Sequence, residues 1–241
     1  MNRKRTPESD WLPFSDLMTG LMVIFMFIAI AYMLQVQQEQ AERDEIFSEF
    51  QAVKESLYTE LDSVFRDDFS QWEVVLDKDL SIKFTNPDIL FASGQARIRT
   101  HFRRILDEFL PRYFDVLLQE KYKGKILEVR IEGHTDTTPA IAYDRDPYIG
   151  NVLLSQLRSA EVLAYFRKMR YYKSLDEDDE LRLQYWLTAN GLSYGRTLDA
   201  NKTLTADSGL PVDAQLSRRV EFRIRTNSDA VVAAALAKMQ E

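Results

Sequence analysis

The sequence predicts an α+β fold: one membrane-crossing helix, a helical stalk, and a C-terminal domain with a β-α-β-α-β core. Three observations predict it. An uncharged apolar run of 18 residues, Leu17 to Leu34, lies near the start. An unbroken stretch without proline or glycine follows over 35–72. Beyond it, period-two and helical patterns alternate up to about residue 227. The division read from these patterns is 1–34 for tail and membrane helix, 35–72 for stalk, 73–227 for the folded domain and 228–241 for a tail.

The first 34 residues carry Arg3, Lys4 and Arg5, then Trp11-Leu-Pro-Phe-Ser-Asp16, then the apolar run. About 20 apolar residues cross a bilayer core, so a span beginning near Trp11 is long enough. Trp11 and Tyr32 stand where interfacial aromatics belong. Basic residues before the run and Glu39, Glu42, Asp44 and Glu45 after it orient the N-terminus to the cytoplasm. A cleaved signal peptide is the alternative, with Ala29-Ile-Ala31 as its cleavage motif; the length of the run and Asp16 at its opening favour the retained helix. Asp16 at the edge of a membrane helix is costly to keep ionised, so it can load and release a proton. Thr19, three residues on, shares its helix face and can hydrogen-bond the carboxyl. The plainer role for Ser15 or Asp16 is a helix N-cap.

In 35–72, Ile46, Phe50, Val53, Leu57, Leu61 and Val64 recur at spacings of three and four, giving one apolar stripe. That stripe suits a short coiled-coil seam in a parallel dimer stalk, or an amphipathic helix packed on the next domain. The polarity of Gln35 to Asp44 favours the stalk.

The domain opens with a hairpin, Trp72 to Leu76 and Leu80 to Phe84, split by Asp77-Lys-Asp79. Arg97 to Gln119 has helical spacing, with Pro111 marking a kink or break. Lys125 to Glu132 alternates and ends at Gly133, a strand feeding a loop. Leu154 to Met169 is amphipathic, and Arg219 to Arg225 alternates as the closing strand. Two inserts interrupt the pattern, Thr137 to Ile149 and about Arg170 to Asn190. The acid run Asp176 to Glu180 reads as solvated surface.

Composition excludes several functions. With 31 basic against 38 acidic residues the formal net charge is -7, so the chain as a whole lacks the basic face that nucleic acid requires. Cysteine is absent, which removes disulfides, thiolate metal sites and a cysteine nucleophile. The two histidines, His101 and His134, are too few for a multi-histidine metal centre. No nucleophile elbow or phosphate loop is present, and an enzyme is disfavoured.

Three ordered blocks carry a resemblance. Gly133-His-Thr-Asp136, then Asn151-Val-Leu-Leu-Ser-Gln-Leu-Arg158-Ser-Ala160, then Arg218-Arg-Val-Glu-Phe222 resemble the OmpA-type peptidoglycan-binding domain, with Phe91-Ala-Ser-Gly94 matching its earlier turn. A free amino-acid end of a wall peptide carries an ammonium and a carboxylate. Holding both needs a carboxylate beside a guanidinium in one pocket. The resemblance implies that Asp136 takes the ammonium and Arg158 the carboxylate, with hydrogen bonds from Thr135 and Asn151 and a wall from Leu154. It offers Arg218 or Arg219 as a second arginine. Taken singly, Asp136 and Arg158 read as a structural ion pair, and His134 reads as a loop-fixing residue. Ser217 stands where the family has Asn, and the loop from Asp136 to Asn151 is longer than usual.

Together with the membrane helix, these blocks resemble the MotB class of stator subunits. Asp16-Leu-Met-Thr-Gly-Leu-Met22 is closer to the ZorB subunits of Zorya anti-phage defence than to flagellar members. The resemblance implies a homodimer inside a ring of MotA-like (ZorA-like) membrane subunits. It also implies H+ (or Na+) carried by Asp16 with Thr19, a periplasmic domain on the wall, and no catalytic centre, cofactor or metal. A flagellar-type stator subunit and a passive envelope anchor are the alternatives, the latter needing Asp136 and Arg158 but not Asp16.

Overall fold

The computed structural model describes residues 11–227, without the side chains of 11–16, 42, 45–47, 49, 50, 87 and 88. The basic cluster before Trp11, the Asp16 side chain and the tail from residue 228 lie outside the described residues. The chain divides into two compact units between Glu49 and Phe50.

The described residues of the first unit, 11–49, are helical as part of α1 (Trp11–Trp72). Leu17–Ala41 is long and apolar enough to cross a membrane, by length and composition. Its large apolar side chains are uncovered, Leu17 and Met18 at 70% and Phe27 at 64% exposure. Such a surface is expensive in water and suits a lipid solvent.

The second unit begins within α1. Leu57, Leu61 and Phe65 are fully buried in its core with Trp72. This moves the expected stalk boundary: the stretch read as stalk to residue 72 is, from Phe50 onward, part of the folded unit. The reason is physical, since a four-residue apolar spacing serves a dimer seam or an intramolecular face equally well. Here Phe65 meets Phe109 at 5.1 Å, and Arg112 stacks over Phe65 at 4.7 Å while pairing with Asp68 at 2.7 Å.

After α1 come β1 (Val74–Leu76), β2 (Ser81–Phe84) and α2 (Pro87–Leu90). α3 (Thr100–Leu117), α4 (Glu120–Lys123) and β3 (Ile126–Gly133) follow, then α5 (Pro147–Lys168), α6 (Arg170–Lys173) and α7 (Glu177–Trp186). β4 (Leu187–Gly191), α8 (Thr205–Ser208), α9 (Ala214–Ser217) and β5 (Val220–Thr226) complete the described residues. The sheet order is β1-β2-β5-β3-β4, with β3 and β4 parallel and every other pair antiparallel. The mixed sheet and the expected hairpin are both present.

Alternation sorts β5. Val220, Phe222 and Ile224 enter the aromatic core, where Phe222 meets Phe84, Phe109 and Tyr113. Glu221, Arg223 and Arg225 face the other way, into a charged ladder with Glu128 and Glu132 of β3.

Two expectations change. Pro111 lies inside α3 without breaking it, because Phe109, Leu110, Tyr113 and Phe114 are buried around it and outweigh the roughly 3 kcal/mol a helix-interior proline costs. The second insert contains a strand, β4, at the sheet edge. The acid run is solvated as expected, with Asp176, Glu177 and Asp178 exposed, and it also starts a helix: Asp176 caps α7 and Asp179 pairs with Lys123 at 3.0 Å.

Candidate functional site

Close packing at the end of β3 builds the site. A Cβ on Gly133 would lie 2.2 Å from the Ser155 carbonyl oxygen of α5, so only glycine lets that helix approach the strand. Beyond Gly133 the backbone is fixed on both sides: the His134 N–H donates to the Arg219 carbonyl at 3.0 Å, and the Thr135 N–H to the Ser193 carbonyl at 3.0 Å. Ser193 is held in turn by its N–H donating to Ser155 Oγ at 3.0 Å.

Asp136 closes a tight turn, accepting the Thr138 N–H on Oδ1 at 2.8 Å. Its Oδ2 accepts from Arg218 Nη1 at 2.7 Å. Asp136 thus pairs with Arg218, not with Arg158 as the single-pair reading had it.

α5 starts at Pro147 behind the N-cap Asp146, whose carboxylate accepts the N–H groups of Tyr148 and Ile149. Asn151, Leu154 and Arg158 follow at i, i+3 and i+7, hence on one face. Asn151 Nδ2 donates to the carbonyls of Thr138 and Pro147 at 2.9 and 3.0 Å, so its amide hydrogens fasten the loop. Leu154 is buried as a wall.

Arg158 is the group out of balance. It is only 6% exposed. Its Nε donates to the Gln95 carbonyl at 3.0 Å and its guanidinium lies 5.1 Å over the Phe91 ring. Among the described residues no carboxylate pairs with it. Burial pulls its pKa down to about 10, with Tyr143 and Asp136 acting in its favour and Arg218 against. It stays charged at neutral pH, desolvated and without an anion.

These residues share one cavity of about 340 Å³. Thr135, Asp136, Asn151, Leu154, Arg158 and Arg218 line it together with Leu90, Phe91, Gly94, Arg99, Pro139 and Ala140. Thr135 Oγ1 is buried there with no partner among the described residues. Arg219 borders the same space, but its guanidinium turns inward, donating to Glu221 at 2.6 Å and to the Ser217 carbonyl at 3.3 Å. Of the two second-arginine candidates, Arg218 therefore has its head group in the site. Sequence reasoning missed Arg99 and Gln95. The long loop after Asp136 is anchored across the cavity mouth, Tyr143 Oη donating to the Gly94 carbonyl at 3.2 Å. Gly94 itself sits at φ 64°, where a side chain would be strained. Ser217 is buried and bonds Leu198 through Oγ, which gives this departure from the family pattern a structural use.

Behind the loop lies a buried charged cluster. His134 is 1% exposed, with Nε2 at 3.7 Å from Glu132 and 3.6 Å from Glu221. Desolvation is the largest influence on His134 and lowers its pKa, so the ring is neutral at neutral pH. Glu132, His134 and Glu221 could between them offer three ligand atoms to a metal. Arg219 and Arg223 already occupy these carboxylates, however, Arg223 reaching Glu221 at 3.0 Å and Glu132 at 3.4 Å. The cluster is self-neutralised and braces the strand ends that carry the loop.

No family model matches the chain. The chain is 35% identical over 233 residues to the Zorya protein ZorB of an Escherichia coli strain (Crooks), covering 94% of each. A second Zorya protein ZorB, from E. coli O139:H28, is 23% identical over 230 residues, 93% of this chain and 85% of that one. Among solved structures, a MotB-like protein from Desulfovibrio vulgaris superposes with a TM-score of 0.50 at 22% identity, over 75% of this chain and 95% of that one, which shows a shared fold. On the first of these relationships, the chain belongs to the ZorB family of Zorya proteins.

Proposed function

We propose that this protein is the wall-anchored subunit of a MotA/MotB-like, ion-driven motor complex of the bacterial inner membrane, acting in anti-phage defence. The observation that carries the anchoring half is Arg158, a buried guanidinium without an anion at the back of a cavity. Evolution removes such an uncompensated charge unless a ligand completes it. A peptidoglycan stem peptide with a free amino-acid end supplies the carboxylate. Its ammonium joins Arg218 at Asp136, whose two oxygens each retain an unused acceptor site. Thr135 Oγ1 adds a hydrogen bond, and Leu154 and Phe91 supply the apolar wall.

The membrane half rests on the apolar helix and on Asp16. In this reading the N-terminus is cytoplasmic and the domain periplasmic. Two copies stand within a ring of ZorA-like subunits, and Asp16 with Thr19 passes H+ or Na+ while the wall resists the torque. The reading requires no catalytic residue and no cofactor.

Two substitutions in the full chain test the halves separately. Arg158→Ala abolishes co-sedimentation with purified sacculi, and unchanged sedimentation rejects the anchoring role. Asp16→Asn leaves sedimentation and membrane assembly intact but removes protection of cells against phage. Full protection by that variant rejects the ion path and leaves a passive anchor.

A further inference from the structure

Beside the cavity lies a second concave surface that the reading above does not use. It is a groove of about 750 Å³, lined by Ile89, Gln95, Arg97, Arg99, Arg103 and Arg104 among others. The run from Arg97 to Arg104 holds four arginines and His101 with no acid, in a chain whose net charge is -7. Arg99, Arg103 and Arg104 are exposed, and none of the four arginines pairs with a carboxylate among the described residues. Their side chains meet rings instead: Arg103 lies 5.9 Å over the Tyr165 ring, and Arg104 meets His101 Nδ1 at 3.4 Å.

Cavity and groove share a wall. The segment from Phe91 to Ile98 closes on itself through a bridge between those two residues. Arg99 lines both spaces, and Gln95, which lines the groove, gives its carbonyl to Arg158 in the cavity. A ligand emerging from the cavity over this thin partition meets guanidiniums next. Guanidinium forks match carboxylates.

We infer that this groove is an anion subsite for the same wall peptide, taking a carboxylate one residue or more away from the zwitterionic end held by Arg158. The inference rests on the proposed peptidoglycan reading and extends it: the domain recognises an acidic peptide, not an isolated amino acid. Each exposed pair contributes little, so the three lost together reduce affinity about tenfold, and the effect fades with salt.

The test uses the full chain and a soluble muropeptide with its internal carboxylate free or amidated. The wild type binds the free form about tenfold more tightly at low salt. In Arg97→Gln/Arg103→Gln/Arg104→Gln that preference disappears while the amidated form binds as before; none of these side chains lies in the core, so the fold is retained. A preference unchanged in the triple variant overturns the subsite. So does capture of anionic phospholipid vesicles that is lost in the triple variant without change in muropeptide affinity, because the groove then serves a membrane. Arg158→Ala separates the two readings: it removes binding of both forms. If it removes neither, the cavity assignment fails, and the groove cannot be its continuation.

Discussion

Asp136 Oδ2 receives Arg218 Nη1 at 2.7 Å while its Oδ1 receives the Thr138 N–H at 2.8 Å, so one carboxylate is aimed from two sides into the cavity that holds Arg158. Arg218 is 38% exposed in its side chain, whereas that of Asp136 is 5% exposed. Arg218 reaches solvent while the acid it orients is buried, so its loss costs the domain about 1 kcal/mol as well as the aim of the carboxylate. Arg218→Ala is expected to weaken sacculus binding severalfold and lower the urea midpoint of the domain only slightly. A stability loss of several kcal/mol with unchanged binding would mean the pair is purely structural.

Gly133 sets the distance between β3 and α5. Gly133→Ala places its methyl 2.2 Å from the Ser155 carbonyl oxygen, a backbone atom that cannot swing aside. The expected cost is about 3 kcal/mol or failure to fold, read by chemical denaturation. Gly124→Ala, where nothing stands within 4 Å, is the matched control.

The buried cluster gives an acid limit. Desolvation works against the Glu221 charge, but the surrounding cations, with Arg219 hydrogen-bonded to it, more than offset it and bring the pKa to about 2 from an ordinary 4.5. A lowered carboxylate pKa contributes stability that is full above about pH 4.5 and is lost as pH falls towards 2. That contribution is about 3 kcal/mol. Glu221→Gln should lose it at neutral pH and show a flatter stability curve between pH 4.5 and 2. An unaltered curve would place the acid sensitivity elsewhere.

The β4 edge of the sheet is blocked by one side chain. Gln156 of α5 donates to the Ala189 carbonyl at 2.9 Å and accepts the Gly191 N–H at 2.7 Å, filling the outward backbone groups of β4. Gln156→Ala is expected to cost about 1–2 kcal/mol and to raise concentration-dependent association, measured by light scattering.

Much of this was legible in the sequence, and the exceptions share a cause. Asn151, Leu154 and Arg158 were placed together by the resemblance of their block to the peptidoglycan-binding family, and α5 puts them on one face at i, i+3 and i+7. Arg218 and Arg219 were not separable: neighbours entering a strand point to opposite sides, and only the register of β5 decides which one reaches Asp136. The strand β4 was hidden because Leu187-Thr-Ala-Asn-Gly191 is half-buried along its length and shows no alternation. Its pairing comes from β3 and from Gln156, both distant in sequence. The domain start was misplaced for a related reason, since Leu57, Leu61 and Phe65 carry the spacing of a coiled coil but find Phe109 instead. Arg99 went unnoticed because its importance comes from the loop that brings it between two concave surfaces.

The central claim is that Arg158 stands uncompensated in order to meet a peptide carboxylate. Its burial in place of an apolar side chain costs stability, and Arg158→Met should raise the domain's stability by about 1–3 kcal/mol while abolishing binding. The most direct measurement is calorimetric titration of the full chain with a soluble stem peptide whose free terminal carboxylate is intact or amidated. A carboxylate met by Arg158 gives binding of the intact peptide and at least a hundredfold loss on amidation, with Arg158→Met blind to both. Equal affinity for the two peptides would contradict it.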